Sequence, residues 1–244
     1  MKRLVLWAGL CSALMLFNSP AAMADNTNAL VGTWETQLTG PGLDQATCIL
    51  AFSNDFTWAG YGIGLKSFGP VTLAGTWGVD AKNRIIGGFT QFRDNGDIAG
   101  TLTKVAATHN RLRGRAIATH GILQVKGTTL STLPNVSGSN WVGEVRTHGN
   151  TSFQSYTFTP STNLPGWFEI TGSGVGQGGT YTVSGALIVT SDHRANGYLV
   201  SDLGSVNTTS TWSFAGKFLP SHDRAAFRGR SDTGNSLQIR VTKQ

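Results

Sequence analysis

Arginines at alternate positions are the residues of this chain whose type and spacing most clearly suggest chemistry. Arg111, Arg113 and Arg115 alternate with small or apolar residues, and Arg228 and Arg230 repeat the pattern. Residues two apart on a β-strand share a face. The pattern favours arginines facing water and apolar residues facing a core. The alternative is an inward face, on which paired guanidiniums hold a carboxylate or phosphate.

If the protein binds an anionic ligand, the candidate binding residues are therefore Arg113, Arg115, Arg228 and Arg230. Two arginines on one strand face would offer a carboxylate or phosphate a bidentate fork.

Other residue patterns predict neither a catalytic set nor a metal site. The chain has no G-x-S-x-G and no H-E-x-x-H sequence. A dinucleotide loop needs a helix after it, whereas Gly174–Gly179 precedes the strand-like Thr180–Val183. The five histidines have no metal-ligand spacing, and three of them stand in turn-like contexts. They are His109, His120, His148, His193 and His222. We therefore predict no catalytic residue, no metal and no cofactor, and leave open whether the protein is an enzyme.

Composition narrows the class of protein. The 244 residues include 32 glycines, only 13% are charged, and 9% are aromatic. The aromatic content excludes a disordered chain, the glycines lack the triplet period of collagen, and two cysteines cannot build a disulfide scaffold. The formal net charge of +6 comes from scattered basic residues, so we expect no nucleic-acid partner.

The first 24 residues have the pattern of a signal peptide. Lys2 and Arg3 precede an apolar run, Leu4 to Phe17, which is too short to span a bilayer. Ala22-Met23-Ala24 then supplies small residues for cleavage. We predict export to the periplasm or the extracellular space. No later segment has the length and apolar character of a transmembrane helix.

One cysteine remains in the predicted mature chain. Cys48 alternates in phase with Leu50 and Phe52. This phase predicts a buried free thiol on the apolar side of a strand.

The mature chain also contains an internal repeat. The triplet Arg113–Arg115 recurs as Arg228–Arg230, and each copy follows a His-centred turn. Weaker matches occur in the same order with nearly constant spacing, and Trp34 corresponds to Trp141. We predict a duplication with four parts: a signal peptide over residues 1–24, a first domain over 25–127, a linker over 128–139 and a second domain over 140–244.

Within each copy, apolar and polar residues alternate with period two, as from Tyr181 to Thr190 and from Leu237 to Thr242. This pattern is typical of antiparallel strands with one buried face. Turn-forming residues recur about every ten positions, and no convincing helix follows the signal peptide. We therefore predict an all-β protein of two tandem, antiparallel meander, β-barrel-like domains with seven or eight strands each.

The segment Leu30–Leu38, which contains Gly32-Thr33-Trp34, resembles the first strand of calycins, the lipocalin and avidin superfamily. The resemblance implies a barrel whose tryptophan closes one end and packs on an arginine from a late strand. We expect Trp34 and Trp141 to be such structural residues. Biotin binding is not implied, because Thr36 stands where avidins carry an asparagine. The second copy reads Ser139-Asn140-Trp141 and lacks the glycine.

The favoured function is an exported, non-catalytic binding protein for a small, partly apolar ligand held inside a barrel. One alternative is an outer-membrane barrel made by the whole mature chain. Another is a small cyclase or isomerase on the same scaffold. The sequence does not indicate an oligomeric state.

The signal-peptide prediction is tested at its cleavage site. We expect the exported chain to begin at Asp25, because Ala24 ends the small-residue motif. Mass spectrometry of the exported protein measures this directly. An exported chain that retains residues 1–24 would contradict the prediction.

Overall fold

The computed structural model describes residues 30–40, 44–66, 69–79, 85–92, 98–108, 110–118, 121–147, 150–176, 179–203 and 208–244. The predicted signal peptide and His109, His120 and His148 lie outside these residues. Every regular element is a strand: β1 Gly32–Gly40, β2 Asp44–Phe52, β3 Thr57–Gly64, β4 Gly69–Thr76, β5 Gly78–Val79, β6 Ile85–Phe92, β7 Ile98–Thr108, β8 Arg111–Ala118, β9 Gly121–Thr129, β10 Gly138–Thr147, β11 Asn150–Pro160, β12 Trp167–Gly176, β13 Gly179–Val189, β14 Arg194–Leu203, β15 Thr208–Phe218, β16 Arg224–Ser231 and β17 Ser236–Lys243.

The strands form two rings. In the second half, β10 to β17 pair in sequence order, and β17 pairs back with β10 to close an eight-stranded barrel, here barrel 2. In the first half, nine strands form one sheet that runs from β4 to β5. An additional pairing between β4 and β6, the strand next to β5, closes this sheet into a ring. This ring, barrel 1, also contains eight strands, because the two-residue β5 lies outside it. The predicted all-β fold with two tandem meander domains is confirmed.

This topology corrects one expectation. A single barrel of the whole chain is wrong, since β17 closes on β10 rather than on β1. The connection between the barrels covers residues 130–137, which lie within the predicted linker of 128–139. Thr128 and Thr129 continue β9 because they pair with Glu35 and Trp34 of β1.

The repeated sequence motifs lie on corresponding strands. Arg113-Gly114-Arg115 occupies β8, the seventh strand of barrel 1, and Arg228-Gly229-Arg230 occupies β16, the seventh strand of barrel 2. The two tryptophans, Trp34 and Trp141, lie on the first strands. These positions support the duplication, which stays a prediction.

Each barrel is closed at one end by its first-strand tryptophan. Trp34 is 1% exposed and donates its indole N–H to the carbonyl of Leu30 at 2.7 Å. Trp141 is fully buried and donates to the carbonyl of Val136 at 3.2 Å. Satisfying the indole N–H inside the molecule removes the cost of burying it.

In barrel 2 a lysine lies over the tryptophan, where the calycin resemblance implies an arginine. The Lys243 ammonium lies 5.9 Å from the centre of the Trp141 ring and donates to the Ser137 carbonyl at 2.8 Å. Lys243 follows Ile239 and Val241 in the inward phase of β17, whereas the arginines of β16 are in the outward phase.

Cys48 is fully buried and is not disulfide-bonded, as predicted. Burial raises the pKa of its thiol to about 12, so the reactive thiolate is scarce at neutral pH.

The barrels pack side by side through walls that are dry on both faces. On β2, Cys48 and Leu50 point into barrel 1, while Ile49 points out against barrel 2. On β13, Leu187 and Val189 point into barrel 2, while Ala186 and Ile188 point out against barrel 1. Burial on both faces explains the unbroken apolar segments of these strands.

Polar contacts lie around the apolar contact between the two barrels. The Tyr61 hydroxyl donates to the Pro165 carbonyl at 2.7 Å, and the Ser213 hydroxyl donates to the Leu65 carbonyl at 2.6 Å. The ring of Tyr61 also meets that of Trp167 edge-on at 6.2 Å. These directional contacts fix how the two barrels are oriented.

We expect Trp34→Ala and Trp141→Ala each to lower the free energy of unfolding by about 3–5 kcal/mol, the usual cost of emptying a buried aromatic site. Urea denaturation measures the loss. Trp212→Ala is the control, because Trp212 is only half-buried and the change should cost less. Unchanged stability in the Trp34 or Trp141 variant would contradict a structural role.

Candidate functional site

The open end of barrel 2 contains a cavity of about 230 Å³. It lies at the end opposite Trp141, near the end of β10, the start of β11, the end of β14 and the start of β15. The described residues that line it are uncharged: Val145, Thr147, Thr151, Ser152, Gln154, Tyr181, Val183, Leu199, Ser201, Ser210, Trp212, Leu237 and Ile239.

One strand illustrates why the barrel is full at one end and open at the other. Along β11 the inward positions are Ser152, Gln154, Tyr156 and Phe158. The large rings of Tyr156 and Phe158 pack in the core, and the Phe158 ring lies 5.1 Å from that of Trp141. The smaller polar side chains come nearer the mouth, so the interior is left unfilled there.

A chain of hydrogen bonds crosses the floor of the cavity. The buried Tyr156 hydroxyl donates to Oε1 of Gln154, and Nε2 of Gln154 donates to the Tyr181 hydroxyl at 2.6 Å. Ser152 Oγ lies 3.0 Å from the same Tyr181 oxygen. Burial raises the pKa of Tyr156, and the nearby Tyr181 adds to this shift, so Tyr156 keeps its proton and acts as the donor.

The hydrogen bonds of this network run in one direction, from Tyr156 through Gln154 to Tyr181. Because the Tyr181 oxygen accepts from Gln154, its own O–H points onward, to Ser152 or to a group in the cavity. The floor therefore presents a hydrogen-bond donor to a ligand. Trp212, Val183 and Leu199 supply an aromatic and aliphatic wall around it.

Gly174 makes room for the Tyr181 ring. A Cβ atom at this position would lie 2.6 Å from Cζ of Tyr181 and 2.7 Å from its hydroxyl oxygen. Any larger residue would displace the phenol that ends the hydrogen-bond chain. The glycine-rich stretch 174–179 thus includes one glycine with a packing role.

All four candidate arginines lie outside the barrels. Arg113 and Arg115 are exposed on β8, and Arg228 and Arg230 are exposed on β16. The inward-facing alternative is wrong, because buried apolar residues such as Leu112, Ala116 and Phe227 occupy the inward phase of these strands, where an unpaired guanidinium would be costly. None of the four lines the cavity of barrel 2. Arg113 alone of the four lines a groove between the barrels.

The structure brings together two histidines that the sequence separates. His193 and His222 occupy turns with φ of 67° and 58°, and their rings lie 4.9 Å apart. Within the described residues, no three His, Cys, Asp or Glu side chains are grouped to hold a metal ion.

Glu35 connects the barrels through a hydrogen-bonded carboxylate. Ser191 of barrel 2 donates its backbone N–H to Oε1 and its hydroxyl to Oε2, both at 2.7 Å. Burial raises the pKa of Glu35, the two hydrogen bonds from Ser191 oppose this, and the nearby charge of Asp192 adds to the rise. Nothing in the local sequence singles out Glu35, since its partner is 156 residues away.

Comparisons with known proteins do not show a family for this chain. No family model matches the chain. No curated protein sequence matches it either.

Several solved structures that resemble parts of the chain are β-barrel proteins. A redesigned β-barrel, mFAP1 bound to DFHBI, is 17% identical, covers 44% of this chain and 95% of its own, and has a TM-score of 0.39. A de novo designed fluorescence-activating β-barrel is 21% identical, with coverages of 43% and 90% and a TM-score of 0.35. Transferrin binding protein B from Neisseria meningitidis is 10% identical, with coverages of 82% and 53% and a TM-score of 0.30. These scores carry no information about function, and none of the matches identifies the chain as a calycin.

Among the described residues, no helix has the length and apolar character needed to cross a membrane.

The cavity residues were missed by the sequence analysis, although a signal for them exists. Ser152, Gln154 and Tyr156 share the inward phase of the core residue Phe158. Polar residues in the phase of a core are a sign that one end of a barrel is not packed with apolar side chains.

The Glu35 contact predicts a pH dependence of stability. A raised pKa means that the folded chain holds this proton more tightly than the unfolded chain. The contribution of Glu35 to the free energy of unfolding therefore falls as pH rises above its ordinary value of 4.5. Glu35→Gln keeps partners for Ser191 and removes the charge. We expect its stability relative to the parent chain to rise from about pH 4 to about pH 7.

Urea denaturation across this pH range measures the difference. Glu144→Gln is the control, because Glu144 is paired with Arg146 at 2.6 Å on the outer wall of barrel 2. A parent-to-variant difference for Glu35 that does not change with pH would contradict the prediction.

Proposed function

We propose that the protein is an exported, non-catalytic binding protein that holds one small, neutral, partly apolar molecule in the open end of barrel 2. The observation that carries the proposal is the uncharged cavity at the end of a closed barrel, with a hydrogen-bond donor at its floor. Eight-stranded barrels have room for one such ligand.

The lining favours a particular ligand chemistry. No charged side chain among the described residues lines the cavity, so an ion would lose its hydration without a partner there. Trp212, Leu199 and Val183 suit an apolar body, and the Tyr181 hydroxyl suits a carbonyl, ether or hydroxyl oxygen at its buried end. The cavity of about 230 Å³ is below the range of roughly 300–1,000 Å³ typical of drug-sized ligands, which limits the ligand to a small molecule.

The test compares two probes of the same shape. We expect 2-acetylnaphthalene, an apolar ketone, to bind more tightly than 2-ethylnaphthalene, which lacks the acceptor oxygen. Isothermal titration calorimetry measures both affinities. Tyr181→Phe removes the donor, and we expect it to weaken ketone binding by roughly three- to tenfold and to leave 2-ethylnaphthalene unaffected, as one hydrogen bond contributes about 0.5–1.5 kcal/mol.

A pair of matched variants locates the binding. Ser201 lines the mouth, so Ser201→Phe should fill the cavity and abolish binding of both probes. Ser155 is exposed on the outer wall, so Ser155→Phe adds the same ring outside and should leave binding intact. Binding that survives Ser201→Phe, or no binding of either probe to the parent chain, would refute the proposal.

A further inference from the structure

A second concave site lies between the barrels and is separate from the cavity of barrel 2. It encloses about 400 Å³. One side is the outer wall of barrel 1 at β1, β9 and β8, and the other is the turn of barrel 2 before β14. Its volume lies within the range usual for small-molecule sites.

Three cations of barrel 1 project into this groove. Arg111 and Arg113 lie on β8, and Lys126 lies on the adjacent β9. Arg113 and Lys126 are direct cross-strand partners, an arrangement of like charges that destabilises a sheet. Within the described part of the chain, no carboxylate pairs with any of the three.

The two acidic residues of the groove already have partners on the barrel 2 side of the groove. Asp192 pairs with Arg194 at 3.0 Å and accepts from the Thr190 hydroxyl at 2.6 Å, all within one turn of barrel 2. Glu35 accepts both of its hydrogen bonds from Ser191. Among the described residues the groove therefore keeps an excess of positive charge, because Arg111, Arg113, Lys126 and Arg194 face the two carboxylates Glu35 and Asp192 in one concave site.

We propose that this groove binds a small soluble phosphate ester, whose phosphate group is held by Arg111, Arg113 and Lys126. Guanidinium groups donate paired N–H groups to phosphate oxygens. A ligand with two negative charges compensates three cations better than a ligand with one carboxylate does. The exposed, polar walls suit a hydrophilic body such as a sugar. The ligand also offsets the repulsion between Arg113 and Lys126, so binding and stability are coupled.

The test uses glucose 6-phosphate as the probe and glucose as its uncharged counterpart. Isothermal titration calorimetry at low salt should detect binding of the phosphate ester and not of glucose. The affinity should fall as salt is added, because the cations are exposed and screened. The double variant Arg113→Gln, Lys126→Gln should bind at least tenfold more weakly.

A matched control separates a specific site from general attraction of anions. Arg228 occupies the position of Arg113 in the repeated triplet, and Arg240 lies nearby on β17; both are exposed outside the groove. Arg228→Gln, Arg240→Gln removes the same charge and should leave the affinity within twofold. An equal loss in both double variants, or no binding by the parent chain, would overturn the proposal.

Thermal unfolding gives a second readout that a purely structural role would not produce. Without phosphate, the double variant Arg113→Gln, Lys126→Gln should melt at or above the temperature of the parent chain, because the like-charge pair is gone. Glucose 6-phosphate should raise the melting temperature of the parent and not of this variant. Sedimentation of the parent chain with phosphatidylglycerol vesicles, lost in the same variant, would instead assign the site to a lipid headgroup and overturn the soluble ligand.

Discussion

The pairing of the last strand with the first, β17 with β10 and β9 with β1, is the constraint on which the rest of the structure depends. A closed ring leaves no strand edge to cover, and it assigns every residue to the inside or the outside by its phase. The core, the open cavity and the outward arginines all follow from this assignment. Lys243 is a charged residue in the inward phase of β17, and it lies where the strand reaches the end of the barrel.

Side-by-side packing modifies this rule on a few strands. Where the walls meet, outward residues such as Ile49 and Ile188 are as dry as the core. Glu35 is also covered there, and its carboxylate is held by the backbone and hydroxyl of Ser191 rather than by a cation. Two barrels fixed in this way define a groove between the outer wall of barrel 1 and the turn of barrel 2 before β14.

Period-two alternation was enough to predict the all-β fold and the burial of Cys48, whereas the expectation for Trp34 and Trp141 came from the calycin resemblance and the repeat. The same alternation left the direction of the arginines open, because phase is relative until one residue is known to be inside. The contact between Glu35 and Ser191 and the groove beside it could not be predicted, since strand patterns carry no information about which outer walls meet. The inward polar residues of β11 indicate an unfilled end of the barrel, but the shape of the cavity depends on contacts between strands, such as Gly174 beside Tyr181, which the sequence of one strand does not show.

The tryptophan at the base of barrel 2 closes that end, so the barrel is not a continuous channel. Trp141, with Phe158 and Phe218 against it, blocks passage along the axis. A guest that enters at the mouth must leave through the same opening, in the reverse order of contacts.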